Sequence, residues 1–303
     1  VILAEDKSRF GGSLLTSEAT IGNQSGQEWA DKIISELKSM PNVIVKNRSQ
    51  VFGYYDHNML VMSERVSDHL PKSEKFIPKQ RLWYIRAKEV IISSGSIERP
   101  LVFGNNDTPG VMLSSAAKEY LKIYGVLVGK KPLVFTNNDS GYETAIEFKK
   151  NGIDPIILDT RKDCNSEIIK EAKDLNINIK FSYVVVAAKG YKKVKSADIA
   201  QISDDKKILN KIENIKCDCI CVSGFWTPTI HLASQSGNKT KFNQEIDAFI
   251  PSQSKQKETT LGSANGIFRL EETLKTSFEK GSELSKQITN KENKVQIPAV
   301  VEK

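Results

Sequence analysis

The chain begins with a short apolar run that ends on an acid and is soon followed by two glycines. Val1 to Ala4 are apolar, Glu5 closes the run, and Gly11-Gly12 come next. In a doubly wound α/β fold, the acid that ends the second parallel strand accepts hydrogen bonds from the adenosine ribose hydroxyls. The feature therefore predicts a Rossmann-like dinucleotide-binding domain in which the first strand and its glycine-rich loop are not part of the sequence. Position 1 is not Met, so we expect an internal fragment whose first domain is truncated at its N-terminus.

The composition is typical of a globular protein with room for two hydrophobic cores. The chain has 303 residues, 39% of them hydrophobic, and chains of this length normally form two domains. No segment has the roughly 18 apolar residues of a membrane span, and the start lacks the order of a signal peptide. We therefore expect a cytoplasmic protein without membrane association. The net charge is +7, but Lys and Arg are spread along the whole chain among Asp and Glu. The densest basic segments have little aromatic interleaving, which argues against nucleic-acid binding.

Three of the four cysteines form a C-x-C-x-C run, Cys217, Cys219 and Cys221. The run is typical of a strand, in which alternate residues share a face and lie about 7 Å apart. Thiolates that bind one zinc ion lie within about 4 Å of each other. We therefore predict small buried core residues and no metal site.

A second βαβ unit is predicted further along the chain, with a strand at 133–135, a helix at 142–150 and a strand at 155–158 that ends on Asp159. The turn at 136–141 reads Thr-Asn-Asn-Asp-Ser-Gly and keeps only the third glycine of G-x-G-x-x-G. The first two glycines of that motif serve the tight turn and the approach of the pyrophosphate. This unit is therefore predicted to keep the fold and to have lost the nucleotide.

A small-residue motif at a predicted strand end marks a possible site of ligand approach. Ser94-Gly95 follow the strand predicted at 89–93, and small residues there let a ligand approach the backbone closely. A second motif, Gly262-Ser263-Ala264-Asn265, precedes a helix predicted from Leu270 to about Lys286. The other predicted elements are a helix at 20–40, a strand at 43–46, an antiparallel meander at 50–55, 59–66 and 81–86, a helix at 114–124, and strands at 179–187 and 217–222.

Several blocks of sequence are too long and distinctive to match a family by chance. They are Phe52 to Asn58, Ile97 to Phe103 with Asn105 to Asp107, Phe135 to Asp139, and Trp226 to Pro228 with His231-Leu232 and Ser234 to Ser236. These blocks resemble the alpha subunits of heterotetrameric sarcosine oxidase, within the two-dinucleotide-binding-domain flavoproteins of the glutathione reductase class. The resemblance covers most of residues 1–285. It implies an α/β fold with two Rossmann-like domains, the second inserted in the first, and an antiparallel β-meander.

The resemblance also implies domain limits, cofactors and partners. The first domain would comprise 1–128 and 229–288, the inserted domain 129–228, and 289–303 would be a linker towards a missing C-terminal folate-binding domain. In that family the alpha subunit binds NAD where relatives hold FAD, the beta subunit carries FAD and the sarcosine site, and FMN lies at the subunit interface. Gamma and delta subunits complete the complex, and tetrahydrofolate takes up the one-carbon unit. An oxidoreductase is therefore expected, with this chain inactive alone.

One departure from the family pattern bears on the cofactor. Relatives that hold FAD carry an aspartate after the glycine of the return motif, and in this chain Ser263 follows Gly262. The loss of that ribityl anchor favours NAD over FAD on this chain. The resemblance then implies eight cofactor-binding residues: Glu5, Gly11, Gly12, Ser94, Gly95, Gly262, Ser263 and Asn265.

Each of these residues also has a plainer interpretation. Glu5 could end a strand in solvent, and Gly95 could be a turn glycine without a ligand. His57 is expected at a hairpin tip, where turn chemistry explains it, and His231 is interpreted as a structural histidine. No catalytic residue is predicted on this chain.

Three hypotheses for the function remain open from the sequence. The first is an NAD-binding subunit of sarcosine oxidase, which demethylates sarcosine to glycine with transfer of the one-carbon unit to tetrahydrofolate, or its release as formaldehyde, and production of hydrogen peroxide. The second is the equivalent subunit of a related amine dehydrogenase that acts on an opine, proline or glycine. The third is a scaffold whose dinucleotide never exchanges hydride, which the degenerate second turn favours.

Overall fold

The computed structural model describes residues 1–72, 75–209, 212–290 and 296–302. They form two compact units: unit 1 contains Val1–Ile97 and Thr227–Glu302, and unit 2 contains Glu98–Trp226. Unit 2 is thus inserted in the sequence of unit 1. Residues 98–128, expected in the first domain, lie in unit 2 because they supply a strand and a helix to its sheet.

Helices and strands are numbered separately, each in chain order. The helices are α1 (Gly26–Ser39), α2 (Ser114–Tyr124), α3 (Ser140–Lys150), α4 (Glu167–Asp174), α5 (His231–Gln235) and α6 (Leu270–Thr289). The strands are β1 (Ile2–Ala4), β2 (Thr20–Ile21), β3 (Gln24–Ser25), β4 (Ile44–Lys46), β5 (Ser49–Tyr55), β6 (Met59–Arg65), β7 (Gln80–Arg86), β8 (Val90–Ile92), β9 (Ser96–Glu98), β10 (Val111–Leu113), β11 (Pro132–Thr136), β12 (Ile156–Asp159), β13 (Asn178–Phe181), β14 (Tyr183–Gly190), β15 (Val194–Gln201), β16 (Glu213–Lys216), β17 (Cys219–Ser223), β18 (Trp226–Pro228), β19 (Lys239–Asn243), β20 (Ala248–Gln253), β21 (Glu258–Thr260) and β22 (Val300–Val301).

Unit 1 contains two pairs of parallel strands, β1 with β4 and β8 with β21. The predicted meander is present as β5-β6-β7. Its first turn has three residues, 56–58, between the paired Tyr55 and Met59, and His57 and Asn58 both have positive φ angles, 61° and 52°, as tight hairpin turns require. Turn geometry thus explains the position of His57. Tyr54 and Leu60 of the meander pack with Ile92 in one core.

Helix α1 begins later than the sequence pattern predicted. The prediction started at Thr20, but residues 20–25 form a small hairpin whose turn at Gly22 and Asn23 has positive φ at both residues. The helix begins after Ser25, whose hydroxyl accepts a hydrogen bond from the Glu28 N–H while the Glu28 carboxylate accepts one from the Ser25 N–H. This capping box fixes the start.

Unit 2 is built on a five-stranded parallel sheet in the order β10-β17-β11-β12-β13. Helices α2, α3 and α4 belong to the same unit, and Phe148, Ile157 and Ile169 are fully buried together. A second core contains Leu133, Leu158 and Ile199. The predicted strands and helix at 133–158 are confirmed. Helices therefore cover one face of the parallel sheet and the antiparallel sheet of β14 and β15 covers the other, which is why its strands are apolar on both faces.

Two predictions about strands in unit 2 were wrong in detail. The single strand expected at 179–187 is two strands, because Ser182 has a φ of 59° and the chain turns there from the parallel sheet into the antiparallel sheet β14-β15-β16. The cysteine run is also not one straight strand. Cys219 and Cys221 pack in one core and Cys217 in the other, because β17 begins only at Cys219.

The C-terminal segment is only partly the linker that was expected. Helix α6 ends at Thr289, and residues 291–295 lie outside the described residues. Val300 and Val301 then pair with Ile21 and Thr20 as an edge strand of the β2-β3 hairpin. None of the helices among the described residues is long and apolar enough to cross a membrane.

Candidate functional site

The carboxyl ends of β8 and β21 form one edge in unit 1. The two strands run parallel, with Val90 opposite Glu258 and Ile92 opposite Thr260. The ladder continues past the strands, since the Leu261 N–H donates to the Ile92 carbonyl at 2.9 Å. The segments Ser94-Gly95 and Gly262-Ser263 therefore leave neighbouring strands at the same edge. This is where ligands bind in open parallel sheets.

Gly95 gives this edge an open approach to the backbone. Its φ is +76°, and a Cβ built on it would meet nothing within 4 Å. The loop is nonetheless held in place, because the Thr229 N–H donates to the Gly95 carbonyl at 3.0 Å and the Ser94 hydroxyl donates to the Thr229 carbonyl at 2.7 Å. Residue 95 must therefore be glycine for its backbone angle, while the space above it is free for a ligand.

The second motif at this edge forms a tight turn that leads to α6. Residues Gly262–Asn265 make one turn of 3₁₀ helix, and Gly262 has a φ of +64°. A Cβ at Gly262 would lie 3.2 Å from Cγ2 of Thr273, so the glycine also allows α6 to pack closely. The side chains of Ser263 and Asn265 are half-buried and make no hydrogen bond within the described part of the chain. Both are available to a ligand's polar groups.

Glu5 directly follows β1, and Gly11 and Gly12 lie six and seven residues further along the chain. The Glu5 N–H donates to the Lys46 carbonyl at 2.9 Å, which extends the β1–β4 pairing. Glu5 Oε1 accepts the Lys7 N–H at 2.9 Å. Burial, and then the neighbouring Asp6, raise the pKa of Glu5. Gly11 and Gly12 have φ angles of +122° and +53°, and nothing lies within 4 Å of a Cβ built on Gly12.

The end of the β8–β21 pair thus brings together Ser94-Gly95 and the turn Gly262–Asn265. Glu5 lies at the end of a different pair, β1–β4, and no described ladder joins β1 or β4 to β8 or β21. All eight predicted residues belong to unit 1, and their role in binding a cofactor stays a prediction.

The turn at 136–141 in unit 2 is filled by its own side chains. Asn138 Oδ1 accepts the Ser140 N–H at 3.0 Å, and its Nδ2 donates to the Ser223 carbonyl at 3.1 Å. The Thr136 hydroxyl donates to the Asn138 carbonyl at 2.8 Å. A Cβ at Gly141 would lie 2.7 Å from Cβ of Thr136, so the surviving glycine serves close packing of helix on strand.

The acid that ends β12 is also engaged. Asp159 is fully buried. Its Oδ2 accepts the Tyr142 hydroxyl at 2.7 Å and Arg161 Nη2 at 2.7 Å, and its Oδ1 accepts the Arg161 N–H at 2.9 Å. Arg161 Nη1 also lies 2.8 Å from Asp139. Burial, and then Asp159, raise the pKa of Tyr142. The position that would receive a ribose is therefore sealed by a network internal to unit 2.

A small apolar cavity in unit 1 was missed by the sequence analysis. It has a volume of about 340 Å³, near the lower end for ligand pockets. Phe242 and Phe249 of the β19–β20 hairpin line it, with ring centroids 5.3 Å apart. His231 also lines it, so this histidine is not in the core. The pairing of Phe242 with Phe249 depends on hairpin register, which the sequence signals only weakly.

The cysteines and acids give no sign of a metal centre. Burial raises the pKa of the Cys217 thiol to about 12, and all four cysteines are free. Within the described ranges, no group of three His, Cys, Asp or Glu could hold a metal ion.

Comparison with known proteins places the chain beside one class of enzyme subunit. No protein-family model matches it. It is 37% identical over 251 residues to the sarcosine oxidase subunit alpha of Rhizobium meliloti (strain 1021), a match that covers 82% of this chain and 24% of that protein. It is 30% identical over 286 residues to the subunit alpha of Corynebacterium sp. (strain P-1), covering 93% of this chain and 29% of that protein. The chain thus spans less than a third of the length of these relatives.

Solved structures show the same fold at low sequence identity. L-proline dehydrogenase from P. horikoshii matches with a TM-score of 0.68 at 19% identity, over 97% of this chain and 51% of that chain. Thioredoxin reductase from T. acidophilum matches with a TM-score of 0.64 at 15% identity, over 88% and 83%. The chain therefore has the two-domain, Rossmann-like fold that these two oxidoreductases share. Over the region that they share, the chain is a homologue of sarcosine oxidase alpha subunits.

Proposed function

We propose that this chain is the dinucleotide-holding part of a sarcosine oxidase alpha subunit. The complex would demethylate sarcosine to glycine, with transfer of the one-carbon unit to tetrahydrofolate, or its release as formaldehyde, and production of hydrogen peroxide. The observation that carries the proposal is the 37% identity to a sarcosine oxidase alpha subunit over 82% of this chain. Beta, gamma and delta subunits would supply FAD, FMN and the substrate site.

NAD is the proposed ligand of unit 1. Open backbone at Gly12 and Gly95 suits the close approach of a pyrophosphate, and Glu5, which directly follows β1, is the proposed acceptor for the ribose hydroxyls. Ser263 in place of an aspartate disfavours a flavin's ribityl chain. When bound, NAD could accept or donate hydride, or serve only as part of the fold. Free cysteines throughout agree with a cytoplasmic location.

A scaffold role for NAD is the form of this proposal that we favour. A reductase of this class needs an exchanging nicotinamide site besides its flavin, and the equivalent turn in unit 2 is closed by Asn138 and by the Asp159–Arg161 pair. An amine dehydrogenase that acts on an opine, proline or glycine remains the alternative. The likeness to L-proline dehydrogenase concerns the fold and does not select a substrate.

The test is to co-express the full-length subunit with its beta, gamma and delta partners and to measure sarcosine-dependent hydrogen peroxide. The proposal requires peroxide formation with sarcosine and none with proline or an opine. An assembled, flavin-loaded complex that is inactive on sarcosine would refute it. Acid release of the dinucleotide and its mass then identify NAD or FAD. A nicotinamide that stays oxidised during turnover supports the scaffold role, and one that is reduced on the timescale of catalysis contradicts it.

A further inference from the structure

The meander β5-β6-β7 has one buried face and one exposed face. Cross-strand register puts Tyr54, Leu60 and Ile85 in one row of the inner face, and this row lies in a core of unit 1. The alternate rows, Tyr55–Met59–Arg86 and Gly53–Val61–Tyr84, lie on the opposite face because side chains alternate along a strand. We call this opposite side the outer face.

The outer face is apolar and aromatic although it is exposed. Tyr84 is 68% exposed, Tyr55 53% and Leu82 50%. Scattered exposed apolar residues are normal, but on this face they are neighbours in register around the buried Val61. Contiguous patches of this kind mark interaction sites, and tyrosine with arginine is the composition of protein interface hot spots.

One of these aromatic rings packs against the backbone of its own strand. A Cβ at Gly53 would lie 2.7 Å from Cε2 and 2.9 Å from the hydroxyl of Tyr55. The Tyr55 ring therefore packs over the space that the glycine leaves empty, and a larger residue at 53 would displace it. The contact leaves the other side of the ring exposed, since Tyr55 is 53% exposed.

The charges on this face indicate what kind of surface covers it. On the three strands, the charged residues of the outer face are Arg65 and Arg86, whereas Glu64 points to the inner face and pairs with Lys46. Two copies packed face to face would bring these arginines together. Like-charge contacts at an interface disfavour association, so the face suits a different protein surface with an apolar centre and an acidic rim.

We propose that the outer face of the meander docks another subunit of the same complex, through an apolar surface bordered by carboxylates. The inference rests on the proposed function only in taking the chain as one subunit of an assembly, as the word subunit in the names of its relatives indicates. It does not depend on the substrate.

The test uses the full-length subunit co-expressed with its partner subunits. Tyr84→Ser and Arg86→Glu change exposed side chains of the outer face, and Tyr191→Ser and Lys192→Glu change exposed residues of unit 2 as matched controls. We expect each outer-face variant to weaken subunit association at least tenfold by native mass spectrometry and dilution, while the melting temperature of the isolated subunit is unchanged. Added salt should weaken the association of the wild-type subunits, and the effect of salt should be smaller in the Arg86→Glu variant.

Three outcomes would overturn the inference. The first is a complex that assembles equally well with all four variants. The second is oxidative footprinting that shows Tyr55 and Tyr84 already protected in the isolated full-length subunit. The third is a change in self-association alone in the outer-face variants. The sarcosine assay separates this inference from the proposed function. If the wild-type complex is active on sarcosine and Tyr84→Ser does not weaken its assembly, only the docking site is refuted. If assembly depends on Tyr84 but the complex is inactive on sarcosine, only the proposed function is refuted.

Discussion

At the scale of single residues, a substitution at Gly95 can distinguish a glycine needed for its backbone angle from a glycine needed to leave room for a ligand. Gly95→Ala puts a Cβ at φ +76° and into the open space at the strand edge. The left-handed conformation costs about 1 kcal/mol. Gly125→Ala is a matched control, because Gly125 also has a positive φ, +64°, with nothing within 4 Å of its Cβ, and lies at the end of α2. We expect similar losses of stability but loss of bound dinucleotide only in Gly95→Ala, measured as nucleotide per purified subunit.

Equal dinucleotide content in the two glycine variants would mean that Gly95 is only a turn residue. That plainer interpretation was open from the sequence, and a ligand measurement distinguishes it where stability alone would not. A larger drop in stability for Gly95→Ala, with dinucleotide retained, would point the same way.

Arg161 is the residue on which the closed turn of unit 2 depends. Arg161→Met removes a guanidinium that pairs with the fully buried Asp159 and leaves that carboxylate uncompensated, which costs about 3 kcal/mol or more. Lys162→Met is the control, since Lys162 and its partner Asp204 are both about three-quarters exposed and such pairs contribute little. The urea midpoint for unfolding of unit 2 should fall strongly in Arg161→Met and stay unchanged in Lys162→Met. Similar midpoints would contradict the network's role.

At the scale of elements, Glu64 ties the meander to the β1–β4 pair. It accepts Lys46 Nζ at 2.8 Å and Trp83 Nε1 at 2.7 Å. Burial alone would raise its pKa, but the hydrogen bonds from Lys46 and Trp83 and the charges of Lys46 and Arg81 lower it below 4.5. Because the folded pKa is depressed, the stabilisation is fully present above the ordinary value and is lost as pH falls through the lowered pKa.

Glu64→Gln should therefore destabilise unit 1 at neutral pH by about 2 kcal/mol, the contribution of hydrogen bonds to a charged group. The difference from wild type should shrink as pH falls through the lowered pKa of Glu64, where the folded wild type takes up a proton. Urea midpoints between pH 7 and pH 3 check this. Asp204→Asn, which changes an exposed acid, should show no such pH-dependent difference. A constant difference for Glu64→Gln would mean that its charge is not what matters.

The elements that could be predicted from sequence are those whose signal is local. Helix α2 was predicted with the limits that the structure shows, because its apolar period and its terminal Gly125 agree. The start of α1 was missed because the turn at Gly22-Asn23 and the Ser25 capping box compete with a helical pattern that begins at Thr20. Edge strand β22 could not be predicted, because it exists only by pairing with β2, distant in sequence.

At the scale of the whole molecule, the nested order of two units was predictable and the details of the site were not. Recurring βαβ patterns and glycine positions predict the arrangement of one unit inserted in the sequence of the other. The sealing of Asp159 by Tyr142 and Arg161 needs residues from a helix, a strand end and a loop to meet, and periodicity does not report such contacts. The cavity between the β19–β20 hairpin and residues 227–231 is likewise a product of tertiary packing.

The two units should respond differently to the dinucleotide. A ligand that binds only the folded state stabilises by RT ln(1 + [L]/Kd), about 2.7 kcal/mol at a hundredfold excess over Kd. If NAD binds unit 1 alone, adding it to the stripped full-length subunit should slow hydrogen exchange in β1, β4, β8 and β21. Exchange in β11, β12 and β17 of unit 2 should stay the same, since Asn138 and Arg161 already fill the equivalent turn. Hydrogen-exchange mass spectrometry reads both sets of peptides in one experiment, so unit 2 is an internal control. Protection that appears in unit 2, or in neither unit, would contradict the assignment of the ligand to unit 1.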